Sequence, residues 1–544
     1  MNTHETIELF KKLKDDRATI ESHWQELAER FLPIKATVTS LRTPGSKLTT
    51  ENYDSTALDS LMIFAAGLHS YLTNPSSRWF ELGIEEKELI NDKSVKGWLQ
   101  DSQEAIFRAF NNSNFNQQIH ETYIDFGCFG TACLYEEADP LQAVRFYARP
   151  VSECYIMENE REMVDINIRK CKYTVRQAYL KWGKNCGEKI LDLYNANKLT
   201  ETVEIIHSVM PRYERDDSKL DNLNKPFESK YIEADKKTLI NESGYDEFPY
   251  FIPRQIKVSG EVWGYSQSMI ALPDVKTLNS MSKTILKAAQ KMVDPPIVVP
   301  NEGYILPFRT TAGAVNFKDA GISDTVEVLT SELKGSLPVG LEMEEQRRQQ
   351  IRRSMFVDLF LTLAKLDKEM TAREVVERVN EKMLILGPIL GRLMNELLDP
   401  LIHRTFSLLL RAGKITPIPE ILLNEDGSTK DYTITYISPL AKAQRLAEAK
   451  SINDFLITVS SINALDPSAM DNIDVDMVIK RLADIYNIPV DLLNSDEAIQ
   501  QIRQARAEQA QMQRELEMIK LGGEGIEKVT KAGKNARKEE PRVR

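Results

Sequence analysis

The chain has 544 residues, of which 42% are hydrophobic and 28% are charged, and this composition is typical of a globular rather than a disordered protein. Its length exceeds what one hydrophobic core usually serves, so about two to four structural regions are expected. The formal net charge of −11 argues against attraction of the whole surface to nucleic acid or to an anionic membrane, although local basic stripes stay open.

The cysteines and the first residues indicate a reducing environment. The cysteines are odd in number and have no CxxC spacing; they are Cys128, Cys133, Cys154, Cys171 and Cys186. Residues 1–10 contain neither the basic run nor the apolar run of a secretory signal. The longest apolar runs, 61–68 and 383–390, are shorter than the roughly 20 residues that a membrane-spanning helix needs. We therefore expect a cytosolic setting and no membrane insertion.

The N-terminal half alternates between helical and strand-like patterns. Apolar residues recur at helical spacing in four segments, which are residues 4–32, 54–72, 92–111 and 115–126. A short buried strand is predicted at Trp79–Leu82, and several strands with one helix, Val175–Trp182, are predicted between residues 131 and 209. Residues 211–244 are crowded with polar side chains around Tyr231 and Ile232 and are predicted to form a surface hairpin.

The middle of the chain reads as two helices around an insertion. The first helical pattern runs from Leu272 until Pro295 and Pro296, which terminate it. Residues 297–340 combine glycines and prolines with short β-branched runs and are predicted to be a small β-rich module. The second helix is predicted at about Leu341–Leu363 and is densely charged.

Four lysines form a stripe on the first central helix. They are Lys276, Lys283, Lys287 and Lys291, and their spacing keeps them within a narrow arc. Three interpretations stay open: a solvated helix face, a surface that faces phosphates without reading sequence, and a surface that faces a protein partner.

Helices dominate the last third of the chain. The apolar period breaks at residues 364–370, and the capping-box spacing of Thr371 and Glu374 predicts a new helix towards Ile385. A helix broken near Pro400 is predicted at 390–410, a strand at 431–437, and further helices at 441–460, 475–486 and 496–520. Residues 521–544 are predicted to be a disordered, basic tail.

Signatures of catalysis are missing from the sequence. It contains no GxxxxGK[ST] phosphate loop, no HExxH and no GxSxG. The histidines are scattered, and the paired carboxylates, such as Asp474 and Asp476, are explained by solvated helix ends. We therefore predict no catalytic residue, no metal site and no cofactor.

Short motifs recur in a fixed order over roughly residues 10–510. They are Asp54-Ser55-Thr56-Ala57, Ala65-Ala66-Gly67-Leu68, Asn74-Pro75 to Trp79-Phe80, Asp125-Phe126-Gly127 to Phe129-Gly130-Thr131, Phe248-Pro249-Tyr250 with Arg254, Trp263-Gly264-Tyr265-Ser266, Leu272-Pro273-Asp274-Val275 with Leu278-Asn279, Pro295-Pro296, Met370-Thr371-Ala372-Arg373-Glu374-Val375, Leu386-Gly387-Pro388, and Tyr436-Ile437-Ser438-Pro439-Leu440-Ala441 with Gln444-Arg445. In this order they resemble one family, the portal or head-to-tail connector proteins of short-tailed, podovirus-type bacteriophages.

The resemblance implies an α+β, predominantly helical subunit of a ring with a central channel. The implied regions are a wing in two parts (1–262 and 371–440), a first stem helix (263–294), a β-rich clip (295–340), a second stem helix (341–363), a tunnel loop (364–370), a helical crown (441–520) and the basic tail (521–544). The tunnel-loop side chains expected to approach DNA are Lys365, Leu366, Asp367 and Lys368.

The resemblance also implies a function without catalysis. Twelve copies would form a ring at one capsid vertex of the virion, after assembly in the bacterial cytoplasm. Double-stranded DNA would be packaged and ejected through this ring without sequence preference. The implied protein partners are the terminase, the major capsid and scaffolding proteins, and a tail adaptor. Two alternatives stay open: a helical adaptor or scaffold of the packaging machinery, and a packaging ATPase or nuclease.

Overall fold

The computed structural model describes most of the chain. The residues described are 2–40, 43, 45–46, 51–84, 86, 89, 92–216, 218–219, 221–293, 297–298, 317, 327–328, 337–364, 386–422, 432–437, 439–463, 473–486, 494, 498–509 and 511–513. They fall into two compact units: a larger one (Met1–Gly83, Asp101–Pro417 and Thr433–Ala447) and a smaller one (Ile84–Gln100, Ile418–Tyr432 and Glu448–Arg544).

Helices and strands are mixed along the chain, as the predicted α+β class requires. The helices are α1 (Thr3–Phe31), α2 (Thr56–Leu72), α3 (Lys93–Asn112), α4 (Phe115–Phe129), α5 (Val175–Trp182), α6 (Glu188–Asn195), α7 (Gln267–Val293), α8 (Leu337–Ser354), α9 (Val357–Ala364), α10 (residues 386–393), α11 (Asp399–Arg411), α12 (Pro439–Asn463), α13 (Val475–Tyr486) and α14 (residues 498–509). A π-helical turn, Met394–Leu398, joins α10 to α11.

Among the described residues, the strands form two antiparallel sheets and two further strand pairs. They are β1 (Phe80–Ile84), β2 (Cys133–Asp139), β3 (Ala143–Arg149), β4 (Cys154–Glu158), β5 (Val164–Thr174), β6 (Thr202–Pro211), β7 (Phe227–Glu233), β8 (Leu239–Tyr245), β9 (Tyr250–Phe251), β10 (Ile297–Val298), β11 (Glu327–Val328) and β12 (Tyr432–Tyr436). One sheet has the order β4-β5-β6-β7-β8 and a second has the order β3-β2-β9, while β1 pairs with β12 and β10 with β11.

The five-stranded sheet is covered on both faces. Neighbouring residues of a strand point to opposite faces, so Ile205 and Ile206 of β6 enter different cores. Ile206 packs with Ile7 and Phe10 of α1. Ile205 packs with residues of α5 and α6 on the other face, and the three-stranded sheet covers the remainder of that face.

The first helix begins with a capping box and ends in an aromatic core. The Asn2 side chain accepts a hydrogen bond from the Glu5 backbone N–H, and the Glu5 carboxylate accepts one from the Asn2 backbone N–H, each at 2.8 Å. Near the other end, Trp24 meets Phe129 and Trp263 edge-on, with ring centroids 6.4 and 4.9 Å away. This contact joins α1 to α4 and to the segment that leads into α7.

The smaller unit contains helices that are joined by exposed ion pairs. Arg481 of α13 pairs with Glu448 of α12 at 2.7 Å, and Arg503 of α14 pairs with Asp476 of α13 at 2.6 Å. Exposed pairs of this kind contribute little to stability. Among the described helices of the chain, none is long and apolar enough to cross a membrane.

Three predictions of secondary structure were wrong in detail. Within residues 211–244 a hairpin is present, formed by β7 and β8, but its exposure was wrongly predicted. β7 is an interior strand of the sheet, and Tyr231 and Ile232 are buried on its two faces. The region between β5 and β6 contains a second helix, α6, that the sequence reading lacked. The second central helix is interrupted between Ser354 and Val357, where Phe356 takes a left-handed φ of 55° that ends the α-helical geometry.

The buried acid Glu136 belongs to β2 and contacts α11. Its Oε1 accepts a hydrogen bond from the Thr405 hydroxyl at 2.8 Å, and its Oε2 lies 3.8 Å from Arg404 Nε. Burial raises the pKa of Glu136 to about 7, although Arg404 and Thr405 favour the charged form. The folded protein therefore keeps this proton to a higher pH than the unfolded chain does.

We predict that Glu136→Gln removes a pH-dependent component of stability. The unfolded chain loses this proton at lower pH than the folded one, so wild-type stability relative to the variant is greatest below about pH 4.5 and falls by up to roughly 3 kcal/mol as the pH rises through 7. Urea denaturation of both proteins between pH 4.5 and 8 measures this difference. The exposed-loop variant Glu160→Gln is the control, and parallel profiles of wild type and Glu136→Gln would contradict the prediction.

Candidate functional site: the paired central helices

The two central helices form an antiparallel pair. Ser282 of α7 donates a hydrogen bond to the buried Glu344 of α8 at 2.6 Å, and Arg347 of α8 pairs with Asp274 of α7 at 2.8 Å. These contacts fix the register of the pair, because Ser282 and Asp274 lie about two turns apart on α7. Both predicted helices are present, whereas most of the predicted insertion, residues 297–340, lies outside the described residues, and its last four residues belong to α8.

A short segment straps the two helices to the body of the larger unit. We call residues 51–54 the strap. The side-chain amide of Asn279 in α7 accepts from the backbone N–H of Tyr53 at 2.7 Å and donates to the backbone carbonyl of Glu51 at 2.9 Å. The last strap residue, Asp54, pairs with Arg348 of α8 at 2.9 Å. One strap therefore holds both helices through side chains that are far apart in sequence.

The lysine stripe divides into two halves. Lys276 pairs with Glu26 of α1 and Lys283 pairs with Glu51 of the strap, each at 2.6 Å. Lys287 and Lys291 are exposed, and neither has an ion-pair partner among the residues that the structure describes. The first half thus contributes to intramolecular contacts, and the second half is available to a partner.

Serine hydroxyls connect the start of α7 to the end of α4. Ser266 is the N-cap of α7, since its Oγ accepts from the Met269 backbone N–H at 3.0 Å. The same hydroxyl donates to the Cys128 carbonyl at 2.8 Å, and Ser268 donates to the Gly127 carbonyl at 2.8 Å. Carbonyls in the last turn of a helix lack hydrogen-bond donors within the helix. The two serine hydroxyls at the start of α7 supply these donors to the last turn of α4.

Two glycines allow this junction to close. Gly130, which ends α4 with a left-handed φ of 74°, lies against the backbone of Gly264, and a Cβ at Gly130 would fall 2.5 Å from the Gly264 carbonyl oxygen. Only glycine accommodates both the conformation and the contact. The motifs that contain Gly130 and Gly264 are therefore explained by one close backbone approach.

A buried arginine braces the same region. Arg254 is 1% exposed and forms two ion pairs. One is with Glu158, the last residue of β4, and the other is with Glu396 in the π-helical turn, at 2.7 Å. It also donates to the backbone carbonyls of Glu162 and Val262 at 2.8 and 3.3 Å. Turns with π-helical geometry are frequent at functional sites, and this one presents Glu396 to Arg254.

The chain beyond α8 returns to the helical core. Phe360 of α9 packs edge-on against Phe64 of α2, with ring centroids 6.0 Å apart, and its ring lies directly over Gly67. The described part of α9 reaches Ala364, which is the first residue of the predicted tunnel loop. The predicted DNA-approaching residues Lys365, Leu366, Asp367 and Lys368 lie outside the described residues, so their role stays a prediction.

Sequence reasoning found the helices but missed most of their anchors. The pairings of Arg254 with Glu158 and Glu396, and of Arg348 with Asp54, join positions far apart in the chain. Asp54 and Arg254 both belong to motifs of the resemblance, and this was the only sign in the sequence that the two residues matter. Among the described residues, no group of three or more His, Cys, Asp or Glu side chains could hold a metal ion.

We predict that Ser266→Ala destabilises the protein by ~2 kcal/mol, because it removes the N-cap of α7 and leaves the Cys128 carbonyl buried without its donor. Thermal unfolding of the purified protein measures the effect. The control is Ser280→Ala at an exposed position of the same helix, which should be close to neutral. Equal melting temperatures for Ser266→Ala and wild type would contradict this role.

Comparisons with known proteins identify the family. The family described as "Bacteriophage head to tail connecting protein" matches residues 3–493. The chain is 30% identical over 523 residues to a "Probable portal protein" of Bordetella phage BPP-1, covering 95% of this chain and 93% of the relative. It is 30% identical over 536 residues to the "Portal protein" of Salmonella phage epsilon15, covering 95% of this chain and 94% of the relative. The resemblance seen in the motifs is thereby confirmed, and the chain belongs to the bacteriophage head-to-tail connecting protein family.

Proposed function

We propose that this chain is the portal subunit of a bacteriophage: twelve copies form a ring at one capsid vertex, and double-stranded DNA passes through its central channel during packaging and ejection. The observation that carries the proposal is the similarity of nearly the whole chain to portal proteins of two phages. The ring serves as a conduit and has no catalytic role. Its protein partners are the terminase, the capsid and scaffolding proteins, and a tail adaptor.

The surface of the paired central helices supports assembly into a ring. On α7, Leu286 and Val293 are 50% and 87% exposed, and on α8, Leu341 and Met343 are 49% and 47% exposed. Clustered exposed apolar side chains on a helical pair favour burial against another molecule. Neighbouring copies that repeat one head-to-tail contact bury these residues around a closed ring.

The regions of the chain are assigned as the resemblance to portal proteins implies. In it, residues 263–294, which contain α7, are the first stem helix, and residues 341–363, which contain most of α8 and α9, are the second. Residues 295–340 are the clip, residues 364–370 are the tunnel loop, and residues 441–520 are the crown. The described part of the clip includes the β10–β11 pair, which supports its predicted β-rich character. The wing comprises the sheets and the helices around them, in residues 1–262 and 371–440.

The stem lysines and the tunnel loop supply the contacts with DNA. Lys287 and Lys291 of α7 have no ion-pair partner among the described residues and can meet phosphates or a neighbouring subunit. Lys365 and Lys368 approach the duplex from the tunnel loop. Sparse cations suit a conduit, because every phosphate that a protein neutralises strengthens binding and opposes movement of the DNA.

We predict that the purified protein forms rings with a central hole in negative-stain images and has negligible intrinsic ATPase activity. The ring follows from the exposed apolar helices, and the lack of turnover follows from the absent phosphate loop. Top views without a hole would favour the helical adaptor or scaffold alternative. Robust nucleotide turnover would favour the packaging ATPase alternative.

We further predict that Lys365→Glu with Lys368→Glu reduces the yield of packaged genomes while ring assembly is retained. Reversed charges in a narrow loop repel the phosphates of the passing duplex. The measurement is nuclease-protected DNA per capsid, with ring assembly followed by electron microscopy. Lys184→Glu, at an exposed position of the wing, is the matched control. An unchanged genome yield in the double variant would refute the role of the loop.

A further inference from the structure

Polar contacts hold the strap, residues 51–54, against three helices. On α7, the side-chain amide of Asn279 donates to the Glu51 carbonyl at 2.9 Å and accepts from the Tyr53 N–H at 2.7 Å. One amide therefore binds two backbone groups of the strap. Lys283, one turn further along α7, pairs with the Glu51 carboxylate at 2.6 Å and lies 5.3 Å from the centroid of the Tyr53 ring.

The strap also bonds to α1 and α8. The Asn52 side chain donates to the carbonyl of Glu29 at 2.8 Å, and Arg30 donates to the Asn52 side-chain oxygen at 3.1 Å. At the other end of the strap, Asp54 pairs with Arg348 of α8 at 2.9 Å. Four consecutive residues thus join α1, α7 and α8 on one side of the central pair.

Water reaches most of these contacts. In the ion pair of Lys283 with Glu51, the two side chains are 39% and 67% exposed, and Tyr53 is 38% exposed. Exposed ion pairs stabilise weakly, and dissolved salt screens them. The strap is therefore bound by many contacts that are individually weak, and part of its binding depends on ionic strength.

The space under the strap is only partly filled. A cavity of about 10 Å³, enough for one water molecule, lies between the strap and the helices. Apolar side chains of α2, α7 and α8 line it together with the polar residues Arg30, Asn52, Asp54 and Asn279. Nε of Arg30 is buried and has no hydrogen-bond partner in the described part of the chain. A strap that covered a filled apolar core would gain more from staying closed.

We propose that the strap is a latch: residues 51–54 open and close locally while the helices beneath stay folded, and opening frees one side of the α7–α8 pair. Segments with few buried apolar contacts and many exposed hydrogen bonds open at a lower free energy than the whole domain does. The helix that follows the strap stays closed, because Leu61, Phe64 and Ala65 of α2 are fully buried. The latch is built from contacts within one subunit and does not depend on the proposed function.

The test is thiol labelling of the full-length variant Ala57→Cys with N-ethylmaleimide. Ala57 is 3% exposed and lines the cavity beneath the strap, and the native cysteines are buried, so labelling of the new thiol reports opening above the wild-type background. Ala65→Cys, at a fully buried position of the same helix, is the matched control. A latch predicts labelling of Ala57→Cys at least about tenfold faster than that of Ala65→Cys.

Weaker strap contacts should speed the labelling of Ala57→Cys. A rise from about 0.05 M to about 0.5 M NaCl, or the substitution Lys283→Gln, should increase the rate about threefold, because each weakens the pair with Glu51. Asn279→Asp keeps the side-chain shape, but it removes the donor to the Glu51 carbonyl and should increase the rate about tenfold. Lys14→Gln, which removes an exposed lysine of α1, should leave the rate unchanged.

Three results would overturn the latch. Equal labelling rates for Ala57→Cys and Ala65→Cys would show that the strap opens only when the core of α2 opens. Labelling of Ala57→Cys as fast as that of a free thiol would show that the strap does not cover this position. A rate that responds neither to salt nor to Lys283→Gln and Asn279→Asp would show that the described contacts do not hold the strap.

Discussion

The central helices depend on one buried charge. Arg254 is almost completely removed from water, and its guanidinium is neutralised by Glu158 and Glu396 while two backbone carbonyls take its remaining donors. An arginine cannot lose its proton at such a site, so every partner must stay in place, and removal of one carboxylate would leave an uncompensated buried charge. Segments around positions 158, 254 and 396 are thereby held together where the chain enters α7.

Stability is unequal along the central pair. At its base, Ser266 and Ser268 complete the hydrogen bonds of α4, and Gly130 and Gly264 bring two backbones together. Further out, among the described residues, Leu286, Val293 and Leu341 are exposed. In the proposed ring, the base is therefore rigid within each subunit, whereas the outer part gains its packing from neighbouring copies.

Local patterns predicted elements well and long-range contacts poorly. The helix Val175–Trp182 was predicted with its observed ends, and the structure shows what fixes them: a capping box of Thr174 with Gln177 begins the helix and Gly183 follows it. The surface position predicted for the segment around Tyr231 was wrong. The polar loop before β7 suggested exposure, whereas the strand itself is buried on both faces. Nothing local could indicate that Phe356 adopts a left-handed φ, or that Lys283 meets Glu51 across more than 200 residues. Periodicity reports which face is apolar, not what covers it.

The divided lysine stripe bears on how a portal could hold DNA without stopping it. In the proposed ring of twelve subunits, four unpaired lysines on each helix would present a dense ring of cations, and the release of counterions would make the contact with DNA strong. Here the strap and α1 supply Glu51 and Glu26, which engage Lys283 and Lys276 within the subunit. Lys287 and Lys291 are the stripe residues left for phosphates or for a neighbour. In the proposed ring, these intramolecular acids would limit how many positive charges the stem offers, which is consistent with the net acidity of the chain.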